Sequence, residues 1–478
     1  MTEFSSPNNQ ELYPLKPLHP WLECPERYAP TLDRQERELW YDGPNYTADA
    51  VIMTRDADPL ILLITRRDGS YAVPGGFIDA SESTERAAIR EAYEETSVNL
   101  ADTKSSLIFS GVVNDPRATK HAWIETTAFL FSVDKPLPSK AGDDALDTTW
   151  CRYSQLPGEL YGSHREIINA AYERHFHLHT LKFPETAVVE KAYGGHMLYH
   201  RFFVKHSSSS PQYFVKSHDK ILFSDQSRAN HSIQYLEKEA LVYEYLRSSS
   251  YLFIPTISQS HAPHTITMDA YHPDENWYWR APKNAAYHNY VEDIFSAFYQ
   301  LETIAPPTDF HENIEPTHIL LATEGWGAIH DTTDTVYTSL FAYHHEIPSA
   351  DTLYSDLTNL RDYALHHPPQ PPSVLAHHDA RQANIAWHPS HGARLVDWSW
   401  TGLATPKSDS TNFLIDLHKH GHDVSRYLDD HFDPIHALTL IGFWIEHSTW
   451  PVGNGNNGVR KQQFLSALSA YELFTKTI

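Results

Sequence analysis

The chain has 478 residues, 41% of them hydrophobic and 13% aromatic, with 61 acidic side chains against 37 basic ones and a formal net charge of -24. That length exceeds what one hydrophobic core supports, so two or three folded domains are expected and general disorder is excluded. The acidic excess excludes nonspecific attraction to nucleic acid or an anionic membrane, so an anionic ligand would need local cations or a bound metal. Two cysteines, Cys24 and Cys151, cannot build a disulfide framework and fit a reducing compartment. No apolar run reaches the ~20 residues of a membrane span, and the opening MTEFSSPNNQELYPLKPLHP lacks the basic and apolar regions of a secretory signal. A cytoplasmic protein with no nucleic-acid or membrane partner is the expectation. The 32 histidines are scattered without H-E-x-x-H or C-x-x-C spacing, so they read as surface or packing residues rather than zinc ligands.

In chain order, residues 1–45 are rich in proline and polar groups and read as an arm with a short helix over 32–40. Strand-like runs then appear at DAVIMTR (49–55), PLILLITRR (59–67) and the YAVPGG approach (71–76), before a helix over 83–96. Further strands are read at SLIFSGVV (106–113), AWIETTAFLFSV (122–133) and TTWCRY (148–153), with a helix at SHREIINAAYERHF (163–176). Strands outnumber helices and alternate with them irregularly, which predicts an α+β sandwich over 46–178 rather than a doubly wound sheet.

A second unit is expected over 185–478. KAYGGHMLYHRFFVKH (191–206) and PQYFVKSHDKILF (211–223) read as antiparallel strands, SIQYLEKEALVYEYLRS (232–248) as a helix and HTITMDAY (264–271) as a strand, with mostly helical segments after it. Strands first and helices later predict a small sheet lobe over 185–272 joined to a larger helical lobe over 273–478.

The stretch YAVPGGFIDASESTERAAIREAYEETSV (71–98) carries the first chemical signal. Glu91, Glu94 and Glu95 fall three and four residues apart on a helix, so their carboxylates share a face and repel. A Pro-Gly-Gly turn precedes that helix and lets backbone approach a ligand closely. Magnesium takes oxygen ligands and keeps several waters, so the cluster is a candidate metal site for a polyphosphate substrate.

The same stretch resembles the Nudix box, G-x5-E-x7-R-E-U-x-E-E-x-G-U. Gly76, Glu82, Arg90, Glu91, Glu94 and Glu95 stand in register, Ala92 and Val98 at the apolar positions, and Ser97 in place of the late glycine. Beyond the box, GPNYTADAVIMTR (43–55), ITRRDGSYAVPGGFID (64–79), GVVNDPRATKHAWIET (111–126) and KAGDDALDTTW (140–150) are similar to segments of ADP-ribose pyrophosphatases, and to the ADP-ribose-sensing module of melastatin-type channels. The resemblance implies a Nudix α/β/α sandwich that hydrolyses ADP-ribose to AMP and ribose 5-phosphate with Mg2+, Mn2+ being an alternative. It implies that Glu94 and Glu95 hold metal, that Glu91 ligates metal or helps activate water, and that Arg90 orients the carboxylates through Glu82. Asp143 and Asp144 match the segment near the terminal ribose; Arg66, Arg117 and Gly76 are candidates for substrate contact. Another nucleoside diphosphate or dinucleotide as substrate, or a sensor without turnover, remain as alternatives.

The second signal is SVLAHHDARQANIAW (373–387) followed by ARLVDWSW (393–400). His377, Asp379 and Asn384 fit H-x-D-x-x-x-x-N, and Asp397 ends an apolar run. In kinase-like phosphotransferases the loop aspartate accepts the acceptor's hydroxyl proton while the asparagine and a later aspartate hold magnesium. Lys216 ends the strand YFVK and Glu239 lies on the following helix, the residue types of the ion pair that positions ATP. The region 185–478 resembles the aminoglycoside phosphotransferase and choline kinase group, a bilobal protein-kinase-like fold. There His378 is commonly glycine, and Gly194-Gly195 only partly substitutes for a G-x-G-x-x-G loop. The resemblance implies ATP as co-substrate and an unidentified small-molecule hydroxyl as acceptor, a nucleotide-binding pseudokinase being the alternative. Trp387, Trp398 and Trp400 read as packing residues, with stacking of one of them on a substrate as the alternative.

Overall fold

A computed structural model describes residues 39, 41–119, 121–143, 145–192, 199–205, 212–221, 226–258, 262–307, 324–329, 350–450 and 457–478. The expected helix at 32–40, Asp144 and the Gly194-Gly195 pair lie outside the described residues. The chain divides into two compact units: residues 1–209 with 217–226 and 260–265, and residues 210–216, 227–259 and 266–478.

In the first unit a mixed seven-stranded sheet runs in the order β3-β2-β1-β6-β5, with β4 paired to β1 and β7 to β2. Its strands are β1 (Gly43–Thr54), β2 (Leu60–Thr65), β3 (Tyr71–Ala72), β4 (Gly75–Phe77), β5 (Ser105–Val112), β6 (Ala122–Val133) and β7 (Asp147–Arg152). β1 and β6 are parallel over their whole length, from Gly43 opposite Ala122 to Thr54 opposite Val133. Side chains alternate across a strand, so β1 contributes to two cores. Val51 and Met53 pack with Ile167, Ile168 and Ala171 of α2 (His164–His175). Ala48, Ala50 and Ile52 pack with Ala87, Ala88 and Ala92 of α1 (Thr84–Thr96). The sheet therefore lies between two helices, as the sandwich reading expected.

Helix α1 starts where its sequence dictates. Ser83 takes an extended backbone and its hydroxyl accepts the Arg86 N–H at 3.3 Å, an N-cap. Its buried face carries alanines rather than leucines, and Ala92 is fully buried. Small side chains let the helix lie close on β1, which accounts for alanine at an apolar box position. At the other end Ser97 adopts φ 58° and ψ 14° and its N–H closes on the Tyr93 carbonyl. That is the left-handed C-cap conformation in which glycine is the usual residue. The helix read over 163–176 ends as α2 at His175, and the chain continues as a π-turn over Phe176–Thr180. Strands β8 (Val188–Lys191) and β9 (His200–Lys205) then form an antiparallel hairpin.

In the second unit, β10 (Tyr213–Ser217), β11 (Ile257–Ser258) and β12 (Thr265–Asp269) are sheet neighbours in the order β11-β12-β10. Among the described residues its helices of twelve residues or more are α3 (Gln226–Ser248), α4 (Tyr287–Glu302), α5 (Ala350–His366), α6 (Ser408–Lys419), α7 (Pro434–Ser448) and α8 (Asn457–Thr477). Two small antiparallel sheets interrupt them: β13 (Val374–Ala376) with β16 (Gly402–Ala404), and β14 (Ile385–His388) with β15 (Gly392–Leu395). Trp387 and Trp398 are almost wholly buried beneath these turns, and Trp387 donates to Asp293 at 2.7 Å. No helix among the described residues is long and apolar enough to cross a membrane.

Candidate active site and a buried side-chain network

The Pro-Gly-Gly turn and α1 are fitted to each other atom by atom. The Gly75 N–H donates to Glu95 Oε2 at 3.0 Å, and a Cβ on Gly76 would lie 2.4 Å from the Glu91 carboxylate. Register brings them together, because β4 pairs with β1 so that Asp49 faces Gly75 and Ala48 faces Gly76. Any side chain at Gly76 would displace Glu91, so glycine is required here for close approach. Arg90 is the internal counter-ion: it bonds Glu82 at 3.0 Å, Glu91 at 2.7 Å and Glu94 at 2.9 Å, and donates to the Phe77 carbonyl at 2.8 Å. Glu82, held by Arg90, lies below the usual carboxylate range.

The three box carboxylates do not share one environment. Glu91 and Glu95 are buried, while Glu94 is exposed. Burial pushes Glu91 upward more than the Arg90 hydrogen bond draws it down. Burial pushes Glu95 up to about 8, against the Gly75 N–H that favours its charged form. A fourth acid, Asp49, lies buried on β1 with its carboxylate accepting the Thr126 hydroxyl. Desolvation, with Asp115 and Glu91 nearby, pushes it up to about 6. Among the described residues no three His, Cys, Asp or Glu side chains converge into a ready cage for a metal. Magnesium needs no such cage, since one or two carboxylates plus phosphate and water complete its octahedron. The all-oxygen donor set of Glu91, Glu94 and Glu95 fits that ion.

A NUDIX domain model matches residues 44–171. The ADP-ribose pyrophosphatase of Methanocaldococcus jannaschii is 33% identical over 132 residues, covering 27% of this chain and 73% of that protein. The chain belongs to the Nudix family. The mitochondrial ADP-ribose pyrophosphatase of Rattus norvegicus is 30% identical over 172 residues, 28% of this chain and 48% of its own, so the chain spans about half the length of that relative. Among solved structures, the NUDIX domain of Shewanella oneidensis NrtR complexed with ADP ribose is 25% identical and covers 30% of this chain and 94% of its own, with a TM-score of 0.24.

Around the Nudix box, the loop at 140–146 is tied to the end of α1: Lys140 N–H donates to the Thr96 carbonyl at 2.9 Å and Gly142 N–H to the Glu95 carbonyl at 3.1 Å. Asp143 follows in a left-handed conformation and its charge is felt by Glu91. Arg117 grips Asp115 with two hydrogen bonds, Nε to Oδ1 at 2.9 Å and NH2 to Oδ2 at 2.8 Å. Burial would raise the Asp115 carboxyl, but Arg117 holds it below its ordinary value. Arg66 lies over the Tyr161 ring at 4.0 Å, and its charge reaches both Glu95 and Asp115. Asp49, Asp115 and Tyr161 escaped the sequence reading. The NDPR turn, in which an aspartate precedes arginine by two, was the one available sign of the Asp115 clamp.

In the second unit Lys216 is buried and bonds Glu239 at 2.6 Å and Asp397 at 2.9 Å. Burial raises Glu239 against the pull of Lys216. Asn384 donates to the Asp379 carbonyl at 2.9 Å and to its carboxylate at 2.7 Å. Arg381 holds the same carboxylate, Nε to Oδ1 at 2.9 Å. The loop is anchored by Asp409 of α6, buried, which accepts the N–H groups of His377 at 2.7 Å and His378 at 2.9 Å. His378 has φ 65°, the left-handed region, and its Nε2 lies 3.1 Å from the Leu403 carbonyl. Arg381 and Asp409 were also missed, the latter because it acts on backbone and leaves no motif.

Proposed function

We propose that the first unit is a magnesium-dependent hydrolase that cleaves ADP-ribose at its diphosphate to AMP and ribose 5-phosphate. The observation that carries this reading is the fit of the Gly75-Gly76 turn to the Glu91 and Glu95 carboxylates, in a domain whose relatives include ADP-ribose pyrophosphatases. Glu94 and Glu95 would hold magnesium, with Glu91 ligating it or orienting water; manganese is an alternative. When bound, the ion neutralises the diphosphate, polarises a phosphoryl oxygen and acidifies water. Arg90 fixes the carboxylates through its bonds to Glu82, Glu91 and Glu94. Arg66 and Arg117 would supply positive charge for the phosphates, and the terminal ribose is assigned by resemblance to Asp143 and Asp144. The test is incubation of the full chain with ADP-ribose and Mg2+, with products separated by chromatography. AMP and ribose 5-phosphate in equal amounts support the reading; binding by calorimetry without product would make the unit a sensor.

The second unit is proposed as a small-molecule phosphotransferase using ATP, favoured by the buried Lys216–Glu239 pair at 2.6 Å with Asp397 beside it. Asp379 would accept the acceptor's hydroxyl proton, with Asn384 and Asp397 on magnesium. Asp379→Asn should stop ATP-dependent phosphorylation in a metabolite screen and leave ADP-ribose cleavage intact. Loss of both together would refute two independent sites.

A further inference from the structure

Tyr161 sits in the loop leading into α2, and its backbone N–H donates to the Tyr71 carbonyl at 2.8 Å, next to the bridge between Tyr71 and Leu160. That anchors the loop to the strand leading into the Pro-Gly-Gly turn. The Arg66 guanidinium stacks on its ring at 4.0 Å, while the Tyr161 hydroxyl donates to Asp115 Oδ1 at 3.4 Å. The same Oδ1 accepts from Arg117 Nε at 2.9 Å. One side chain thus touches one cation directly and reaches the other through a single carboxylate. The buried Nε of Arg66 meets no acceptor among the described residues. A buried guanidinium N–H without an acceptor is costly, and a phosphate oxygen is the acceptor it suits best.

We propose that Tyr161 is a positioning residue whose ring aims Arg66 at the substrate's diphosphate, beside the Arg117–Asp115 pair. The inference rests on the diphosphate-hydrolase reading and adds the element that sets phosphate affinity. The Tyr161 side chain touches Arg66 and Asp115 rather than Glu91, Glu94 or Glu95, so its loss should weaken substrate binding more than turnover. The ring faces a cation within the range where such stacking is strong, and its aromatic face rather than its hydroxyl carries the Arg66 contact.

The test uses the full chain with Mg2+ and the variants Tyr161→Leu, Tyr161→Phe and Tyr161→Trp. Kinetics on ADP-ribose are paired with calorimetry of inorganic pyrophosphate binding. Tyr161→Leu should raise KM and the pyrophosphate Kd about ten-fold, with kcat within about two-fold of wild type. The Phe and Trp variants keep the ring and should recover KM to within about three-fold. Tyr161→Met replaces the leucine variant if that one melts early. Unchanged KM and Kd without the ring, or equal losses in Phe and Leu, would overturn the proposal. If wild type does not turn over ADP-ribose, the substrate reading fails, and the pyrophosphate series still decides the role of Tyr161.

Discussion

Gly76→Ala separates a structural glycine from a functional one. The added Cβ would meet Glu91 Cδ and Oε1 at 2.4 Å, which is 1.0 Å inside the 3.4 Å where ordinary contact begins. What must move is the end of a flexible side chain, and Gly76 has no left-handed φ that alanine would strain. Alanine also lowers the entropy of the unfolded chain, worth about 0.4–1 kcal/mol in its favour. Stability should therefore change by less than about 1 kcal/mol. The Glu91 carboxylate, however, must shift by roughly 1 Å, and a misplacement of that size costs on the order of 100-fold in rate, or about 2.7 kcal/mol of transition-state stabilisation. The assay is AMP release from ADP-ribose over a Mg2+ titration, alongside a thermal melt. Gly158→Ala is the control, since a Cβ there meets nothing within 4 Å. A Gly76→Ala enzyme within about three-fold of wild-type kcat/KM would refute the reasoning. So would activity lost only in proportion to folded protein.

Four further outcomes follow from the same geometry. Glu94→Gln combined with Glu95→Gln should abolish Mg2+-dependent hydrolysis while the far-ultraviolet spectrum stays native; full retained activity would remove both from the metal site. Lys216→Met leaves Glu239 buried without its cation, so a loss of about 3–5 kcal/mol by urea unfolding is expected, whereas Lys216→Arg keeps the charge and should lose less. Burial pushes His175 and His200 down to about 4 and His177 down to about 3. Between pH 6.5 and about 4 these three sites therefore bind more protons in the unfolded chain than in the folded one, and their contribution to stability falls with acid by roughly 1–2 kcal/mol per histidine by about pH 5. Glu95 and Asp49, raised to about 8 and about 6, shift stability the other way over the same range, so the check is a difference: His177→Phe should remove part of the acid loss in the urea midpoint between about pH 7.5 and 5, and an unchanged slope would contradict this. Ser97→Gly should raise the melting temperature by removing about 1 kcal/mol of left-handed strain, measured against the loss of the Ser97 hydroxyl bond to the Lys140 carbonyl at 3.2 Å.

What could be read from the sequence was what one helix or one turn holds by itself. Arg90, Glu91, Glu94 and Glu95 lie within two turns of α1, so spacing alone placed them near one another. It could not say that Glu95 would accept the Gly75 N–H while Glu94 pairs with Arg90, since that depends on where β4 lies. Asp49, Asp115 and Tyr161 come from β1, the NDPR turn and the loop before α2. Only the parallel pairing of β1 with β6 brings the Thr126 hydroxyl to Asp49, 77 residues away. In the second unit Lys216 and Asp397 were named as separate motif pieces, and their bond across 181 residues belongs to the tertiary fold. The C-terminal half read as mostly helical because β13 to β16 are three or four residues long, too short for alternation to register.

The two positions where the chain departs from its motifs share one backbone property. Ser97 stands where the Nudix box has its late glycine, and His378 where the loop of the proposed phosphotransferase would have glycine; their φ values are 58° and 65°. Both replacements keep the left-handed conformation that glycine adopts without strain, so the fold specifies the conformation and the side chains adapt to it. Each then gains a bond that glycine cannot make: the Ser97 hydroxyl to the Lys140 carbonyl, and the His378 ring to the Leu403 carbonyl. The first ties the end of α1 to the loop carrying Asp143, and the second ties the Asp379 loop to β16. His378→Gly should consequently relieve backbone strain yet loosen the loop, so a rise in melting temperature with a fall in kcat for phosphoryl transfer is the expected pair. A fall in both would mean that the ring bond outweighs the strain and that the histidine stabilises the loop outright.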